Sequence, residues 1–591
     1  MYDSEKKSLE KQILALCAAE GLPQPKELSW SQIPFSGEWG LATSFFQTAA
    51  DEARAGKLKG SVPERAQEIA QAVAASLGTP EGFTRAEAVR GYLNVYFAAP
   101  QFAANVISNV LNETSDYGQG QDKNLRLMVE FSQPNTHKSF HVGHLRNLIL
   151  GSSLANILEF AGHEIVRANY IGDFGKDVIK WLWNYRSKHK GEHPPKEDVT
   201  KWMGELYAEA TQELEANPEA EEEIRHLFSR WEEGDPEILA QWQETRKWSL
   251  DGFDDIYTQM GVYFDRVYYE SEVEKPGKEM VAKLIKEKIA IDERAEGGPV
   301  IVKLDELLGL EEEKYRVLVL LRSDGSSLYG AWDLALALKK FEEYELDKSI
   351  YVVDVRQSLH FQQVFKTLEL AGYEELMKKV FHLPYEVVNL PGNLTMSSRE
   401  GIVVLLEDFI REAKQRSEEV VIEKNPNLDA NIRKQVANAV GLGAMKYPML
   451  ARENTKIATF DWEVALDFNG QAAAYIQYAH VRANSILNKF GENLPDELIP
   501  KHELDSSEIE LIDRISRFPD AVQKAAAEYK TLHITNQAYE MARAFNNFYN
   551  QAPVLQAEKE IRNFRLRLVA TAKEAIANSL KLLGIEAPEV M

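Results

Sequence analysis

The sequence of 591 residues contains a single cysteine, Cys17. That excludes an internal disulfide and any cysteine-held zinc or iron–sulfur centre. No window of about 18 residues is continuously apolar, so no membrane-crossing helix and no membrane partner are expected. The first residues are charged and amphipathic and offer no signal-peptide core or cleavage site, which makes a cytoplasmic protein the expectation. No period of about 20–50 residues recurs, which argues against a solenoid or a propeller. Positive charge is not in surplus either: 68 Lys+Arg stand against 92 Asp+Glu, a formal net charge of −24. Indiscriminate coating of nucleic acid is therefore disfavoured. A local basic face, such as the six basic and two acidic residues of 559–581, can still meet phosphates.

What remains is an ordinary globular composition, 44% hydrophobic and 27% charged. Residues 1–112 read as a small α+β domain. It has helical patterns around Leu9–Cys17, Ala42–Ala55 and Pro63–Leu77 and a strand-like YLNVYF at 92–97. The polar stretch NETSDYGQGQDKN (112–124) reads as a linker. Then RLMVEF (126–131), a Ser-Gln-Pro-Asn turn, a helical pattern over about His141–Phe160 and EIVRANY (164–170) make a βαβ unit, hence a parallel sheet. The same grammar returns in RVLVLL (316–321), the helix Tyr329–Phe341, SIYVVDV (349–355) and the helix Leu359–Ala371. A Rossmann-like, doubly wound parallel sheet over 124–424 accounts for both halves. Between them, about 180–260 is helical and rich in Trp. Within it, 192–244 holds 16 acidic and 4 basic residues, the pattern of a solvated helical hairpin. From 425 to 591 strand signals nearly vanish, and an all-α helix bundle is expected.

One constellation carries chemistry before any comparison is made. In SFHVGHLRN (139–147) the strand RLMVEF feeds through a turn into a helix. His141 and His144, three apart, face the same way on its first turn. Gly143 between them permits a flat ring to approach the backbone. The helix N-terminus adds free N–H groups and partial positive charge. Two donors over such a terminus suit a phosphoryl centre whose negative charge grows in the transition state.

At this length the residues resemble a family. VEFSQPNTHKSFHVGHLRN (129–147) and ANYIGDFGKDV (168–178) resemble the signature of class I aminoacyl-tRNA synthetases, and among those the arginyl-tRNA synthetases. The resemblance implies an HIGH-type element at His141-Val142-Gly143-His144, with His141, Gly143 and His144 binding ATP. It also implies a KMSKS-type loop at TMSSREG (395–401), where Met396, Ser397, Ser398 and Arg399 contact ATP. The first lysine of that loop is replaced by Thr395. Lys138, three residues before His141, matches a lysine of arginine-specific members and is expected to supply the missing ammonium beside His141 and His144.

A guanidinium presents five donors and no acceptor, so a selective pocket must offer carboxylates and oxygens. The resemblance implies that Glu130 and Asp333 face the guanidinium with Tyr329 alongside, and that Asn135 and Gln357 hold the α-amino and carboxylate end. Ser132 belongs to the same arginine-binding set. All are expected at or just past the carboxyl ends of parallel strands.

In the C-terminal third, AAAYIQYAHVRANSIL (472–487), YEMARAFNNFYNQAPVL (539–555) and LLGIEAPEVM (582–591) resemble the family's anticodon-binding domain. There Tyr475, Tyr478, Arg482, Tyr549 and Met591 are the tRNA candidates, aromatic and guanidinium faces being suited to unpaired bases. The weaker N-terminal match implies tRNA-elbow contacts at Tyr92 and Asn94. The implied substrates are L-arginine, ATP with Mg²⁺ and tRNA(Arg), with tRNA needed for efficient activation, no metal held by the protein and a monomeric state. Two alternatives keep the same residues: a paralogue that activates arginine for another acceptor, and a catalytically inactive tRNA-binding relative.

Overall fold

The computed structural model describes residues 2–33, 39–58, 60–390, 394–395, 404–496 and 499–591. Its N-terminal part wraps helices Tyr2–Ala19 and Val62–Leu77 over an antiparallel sheet of Trp30–Gln32, Gly40–Ser44, Tyr92–Phe97 and Phe83–Val89, in that order. The second helix starts where it should: Ser61 and Glu64 form a reciprocal capping box and Pro63 sits in the first turn. The helical pattern expected from Ala42 begins later, at Phe46. Gly40–Ser44 is instead a strand, buried at four of its five positions. Cys17 lies in this core, fully buried with Leu9, Ile13, Ile69 and Val73.

The polar stretch after it is not a slack linker. A helix, Ala99–Glu113, runs into it, and Tyr117, 2% exposed, donates its hydroxyl hydrogen to the Ile515 carbonyl at 3.0 Å. Asn578 donates to the Thr114 carbonyl at 2.8 Å. Polar composition here reflects backbone groups being satisfied by the C-terminal helices rather than by water.

The centre is a five-stranded parallel sheet of β1 (Arg126–Glu130), β2 (Glu164–Ile171), β3 (Arg266–Tyr269), β4 (Lys348–Asp354) and β5 (Val380–Tyr385), in the order β5-β4-β1-β2-β3. The chain winds outward through β2 and β3, then returns to the other side of β1. The switch point therefore lies between β1 and β4, and there open α/β sheets bind ligands at the strands' carboxyl ends. Helix α1 (Val142–Phe160) crosses from β1 to β2. Helices α2 (Tyr329–Tyr344) and α3 (Ser358–Leu368) flank β4.

Two strands differ from the sequence reading. Val317–Leu321 does not join the parallel sheet. It pairs antiparallel with Val300–Lys303 in a separate three-stranded sheet, with Val317 48% exposed and Leu320 fully buried. One face is solvated, which an antiparallel strand tolerates and a doubly covered parallel strand does not. The place in the parallel sheet goes to β3, only four residues long and preceded by acidic helices. Those helices, Lys176–Lys188, Val199–Ala216, Ala220–Glu232 and Pro236–Met260, exceed a solvated hairpin: Ile179, Trp181, Leu182, Met203, Trp231 and Ile238 form a core of their own. Beyond residue 404 the described chain is helical except for Ala458–Thr459, which pairs with Val388–Asn389.

Candidate active site

Between β1 and α1 the chain makes a turn that its backbone alone would not choose. Ser132, Gln133 and His137 have φ of +80°, +52° and +62°, conformations costly for residues with side chains. Each is fixed from outside. The Ser132 N–H donates to Asn147 Oδ1 (2.7 Å), that of Gln133 to Asn169 Oδ1 (3.0 Å) and that of His137 to Ser249 Oγ (2.9 Å). Asn135 bridges to Gly172 at the end of β2, where an added Cβ would strike Asn135 Oδ1 at 2.0 Å.

His137 is fully buried, its two ring nitrogens within 2.9 Å of Thr136 Oγ1 and Thr245 Oγ1. Burial, and secondarily Arg246, lowers its pKa from 6.5 to about 3. The folded state thus binds fewer protons than the unfolded chain between those values, so this stability is full above pH 6.5 and lost as pH falls toward 3. We expect the thermal-midpoint advantage of the wild type over His137→Gln to shrink steadily as pH is lowered from about 6.5 to 5, following a slope of about 1.4 kcal/mol per unit. A gap independent of pH in differential scanning calorimetry would contradict this.

The turn delivers His141 to the N-cap of α1. The Gly143 N–H donates to His141 Nδ1 at 3.1 Å, and the His141 N–H donates to His144 Nδ1 at 3.2 Å. Both rings, with centroids 3.9 Å apart, therefore accept at Nδ1 and carry their proton at Nε2. Burial holds both below the ordinary imidazole range, His144 well below, where the neighbouring His141 and Lys138 add to it. The pair is thus two neutral donors. Gly143 is needed for a closer reason than a passing ligand: a Cβ there would meet the His141 ring at 2.8 Å.

His141, Gly143 and His144 line a cleft of about 560 Å³ together with Glu130, Ser132, Asn135, Tyr329, Asp333 and Gln357. Eight expected residues separated by more than 200 positions thus converge with Gly143 on one cavity. Their partners refine the picture. Tyr329, 58% exposed, opens α2, with Asp333 one turn on. Asp333 is bonded to His360 Nε2 at 2.5 Å. Burial pulls His360 down, but Asp333 outweighs it and holds the imidazole above its ordinary value. Glu130 corrects an expectation: its charge is not left for a guanidinium alone but forms an ion pair with Lys340, and Gln133 Nε2 donates to its Oε1 at 2.8 Å. A carboxylate only 2% exposed requires such a counter-charge.

Two further groups face Asp333 in the same cleft and were missed. Glu270, 6% exposed, follows β3 and takes a hydrogen bond from the Phe174 N–H. Burial first, then Asp173 and Asp333, raises its pKa well above the usual carboxylate range. Tyr170, at the end of β2, has a buried hydroxyl without a hydrogen-bond partner among the described residues, and burial, then Asp333 and Glu270, pushes its pKa well up. An unfilled buried oxygen, the Asp333 side chain and a Glu270 carboxyl group that a nearby cation would help to ionise make one end of the cleft suited to a cationic donor. Arg146, also missed, lies under the floor and donates to the carbonyls of Glu386, Val387 (3.2 Å) and Lys456 (2.9 Å). Burial lowers its pKa to about 10. It ties α1 to the strand Val388–Leu390.

Lys138 is not on the cleft wall. Its ammonium pairs with Asp177 Oδ2 at 2.6 Å and stands 4.8 Å from the Tyr207 ring, because α1's approach turn packs against the helix Lys176–Lys188. Met396, Ser397, Ser398 and Arg399 lie outside the described residues.

Among the RNA candidates, Arg482 stacks 4.8 Å from the Tyr478 ring and 4.7 Å from the Tyr549 ring, and both tyrosines are exposed, at 38% and 42%. Tyr475 is half-buried against Tyr539, and Met591 packs with Val421, Val436 and Ala474. Tyr92 is half-buried, 5.6 Å from the Phe46 ring. Asn94 is a correction: it is fully buried in the centre of the N-terminal sheet, its amide 3.5 Å from the Tyr96 hydroxyl, and it presents nothing to a surface partner.

Residues 106–462 match a family model described as tRNA synthetases class I (R), catalytic domain, and residues 476–591 match a DALR anticodon binding domain. The parallel sheet with two histidines on the helix after its first strand is thus the catalytic domain of a class I aminoacyl-tRNA synthetase. The chain is 36% identical over 525 residues to an arginine–tRNA ligase of Clostridium perfringens, covering 86% of this chain and 88% of that protein. It is 31% identical over 576 residues to one of Alkaliphilus metalliredigens, covering 97% of both. The solved Thermus thermophilus arginyl-tRNA synthetase superposes with a TM-score of 0.81 at 27% identity, over 99% of this chain and 100% of that one. The chain belongs to the arginyl-tRNA synthetase family.

Proposed function

We propose that the protein is an arginine–tRNA ligase that works in two steps in the cleft between β1 and β4. The L-arginine carboxylate attacks the α-phosphorus of ATP, the bond to the bridging oxygen breaks, and pyrophosphate leaves. A hydroxyl of the 3′-terminal adenosine of tRNA(Arg) then attacks the arginyl carbonyl carbon, and AMP leaves. His141 and His144 donate to the phosphoryl oxygens, and no side chain becomes covalently attached. The work is positioning and electrostatics. Magnesium enters with ATP as part of the substrate.

The observation that carries the reading is the polarity of the cleft: two neutral imidazole donors at a helix N-terminus on one side, and Asp333, Glu270 and Tyr170 on the other. A phosphate and a guanidinium are the ligands this pairs. Asn135 and Gln357 lie between exposed rim and cleft, suited to the α-amino and carboxylate groups. The loop at 395–401 completes the ATP contacts through Met396, Ser397, Ser398 and Arg399. Lys138 joins them by exchanging Asp177 for the triphosphate. The Tyr478–Arg482–Tyr549 stack holds unpaired anticodon bases, with Tyr475 and Met591 beside it, and the N-terminal sheet reaches the tRNA elbow near Tyr92. The protein works as a cytoplasmic monomer.

The test is aminoacylation of total tRNA with each of the twenty amino acids, read on acid gels, with ATP–pyrophosphate exchange measured with and without tRNA. Charging by arginine alone is expected, with exchange dependent on tRNA. Exchange with arginine but no charging would point to another acceptor.

A further inference from the structure

Lys340 lies beneath the cleft and has no part in the chemistry just described. It sits seven residues after Asp333 on α2, two turns on and on the same face. It is fully buried, ion-paired with Glu130 and 3.9 Å from the centre of the Tyr351 ring. From Glu130 a chain of hydrogen bonds continues under the floor. Gln133 Nε2 donates to Glu130 at 2.8 Å, Asn147 Nδ2 donates to Gln133 Oε1 at 3.1 Å, and Asn147 Oδ1 accepts from the Ser132 N–H at 2.7 Å. Glu130, Gln133, Asn147 and Tyr351 all line the cleft, and Lys340 does not.

A buried ion pair is a poor source of stability, since well-packed apolar residues of the same volume usually serve as well or better. The pair makes sense if the cleft needs one of its charges. We propose that Lys340 is a positioning residue for amino-acid specificity: from behind the wall it holds Glu130 as a carboxylate at the arginine site without touching the substrate. The inference rests on the arginine reading above. The groups that face Glu130 are Lys340 from α2, Tyr351 from β4 and Tyr170 from β2. Asp333 with His360, Glu270, and His141 and His144 share the same cleft. Without Lys340 the carboxylate, 2% exposed, would lose its counter-charge, and desolvation would favour its neutral form, the more so at lower pH.

The experiment measures arginine KM, ATP KM and kcat against pH for wild type, Lys340→Met and Lys340→Met/Glu130→Gln, with thermal midpoints alongside. Taking the ratio of variant to wild-type KM cancels titration of His360, which occurs in both. For Lys340→Met we expect an arginine KM roughly 30-fold above wild type near pH 6.5, shrinking several-fold by about pH 8.5 as Glu130 ionises unaided, with ATP KM and kcat within about 2-fold. The double variant has no buried charge to ionise, so its arginine KM is raised by the same ratio at every pH. An Lys340→Met ratio that is raised but independent of pH means a packing role and overturns the proposal, as does a ratio of one. If Lys340→Met does not fold, Lys340→Gln, neutral and able to hydrogen-bond to Glu130, takes its place with the same readings: a ratio raised near pH 6.5 and shrinking toward about pH 8.5 supports the proposal, and a ratio of one or one independent of pH overturns it. Failure of the wild type to charge arginine would instead remove the functional reading itself.

Discussion

Replacing His144 with alanine is expected to slow arginyl-adenylate formation by about 10²- to 10³-fold while leaving the arginine KM nearly unchanged, because one donor is lost from the transition state and none from the amino-acid end. The structure fixes what kind of donor it is. His144 Nδ1 accepts from the His141 N–H, and burial holds the ring neutral, so only Nε2–H is left to give. Two measurements separate a neutral donor from a cation. His144→Gln, whose amide can also present an N–H, should recover part of the lost rate. The pyrophosphate-exchange rate should also show no gain as pH is lowered from about 8 to 6, since burial holds both imidazoles below the ordinary range, His144 well below. A rate that rises toward acid, with glutamine as inactive as alanine, would show that the charged imidazolium is the working form. Loss of fold is not an adequate explanation for the alanine variant. Removing the cap leaves one N–H at the start of α1 unpaired, worth only about 1 kcal/mol.

How much of this was readable from the sequence depended on whether a role is local. The turn and helix carrying His141, Gly143 and His144 are adjacent in the chain, and so are Tyr329 and Asp333 on one face of α2. Short-range pattern and resemblance found them. Glu270, Tyr170, His360 and Lys340 are partners only in space. Glu270 comes into the cleft because β3, four residues long, closes the sheet after a long acidic insert, and no periodicity marks so short a strand. Lys340 on a helix reads as a solvent-facing charge until β1 and β4 are laid beneath it. The opposite error came from composition. A run of Val and Leu at 317–321 looks like a buried parallel strand, yet Val317 and Val319 turn at least partly outward in a separate antiparallel sheet. The polar 112–124 looks like a linker, yet Tyr117 anchors it. Asn94 sits in a YLNVYF strand whose other positions are nearly all buried, a burial on both faces that only the folded sheet reveals.

The largest effect on substrate choice is expected at Asp333. Asp333→Ala should raise the arginine KM on the order of 10²-fold or more, with ATP KM within about 3-fold, because removing a part-buried carboxylate leaves the guanidinium without its partner. Asp333→Asn is the sharper variant. It preserves volume and can still accept from His360, so what it removes is charge. Citrulline has nearly the shape of arginine without its charge. The ratio of arginine to citrulline affinity should therefore fall steeply in Asp333→Asn, mainly through weaker arginine binding. His360 adds a second signature. Asp333 holds it above its ordinary pKa, so at low pH the imidazolium competes with the substrate for the same carboxylate. Wild-type arginine KM should accordingly fall as pH rises from about 6 to 9, and His360→Gln should lose that limb. The Glu130–Lys340 pair is unaltered in either variant, so any residual preference for cations measures what it and Glu270 contribute. If Asp333→Asn charged arginine with the wild-type KM and discriminated against citrulline as before, the cationic end of the cleft would have to lie elsewhere.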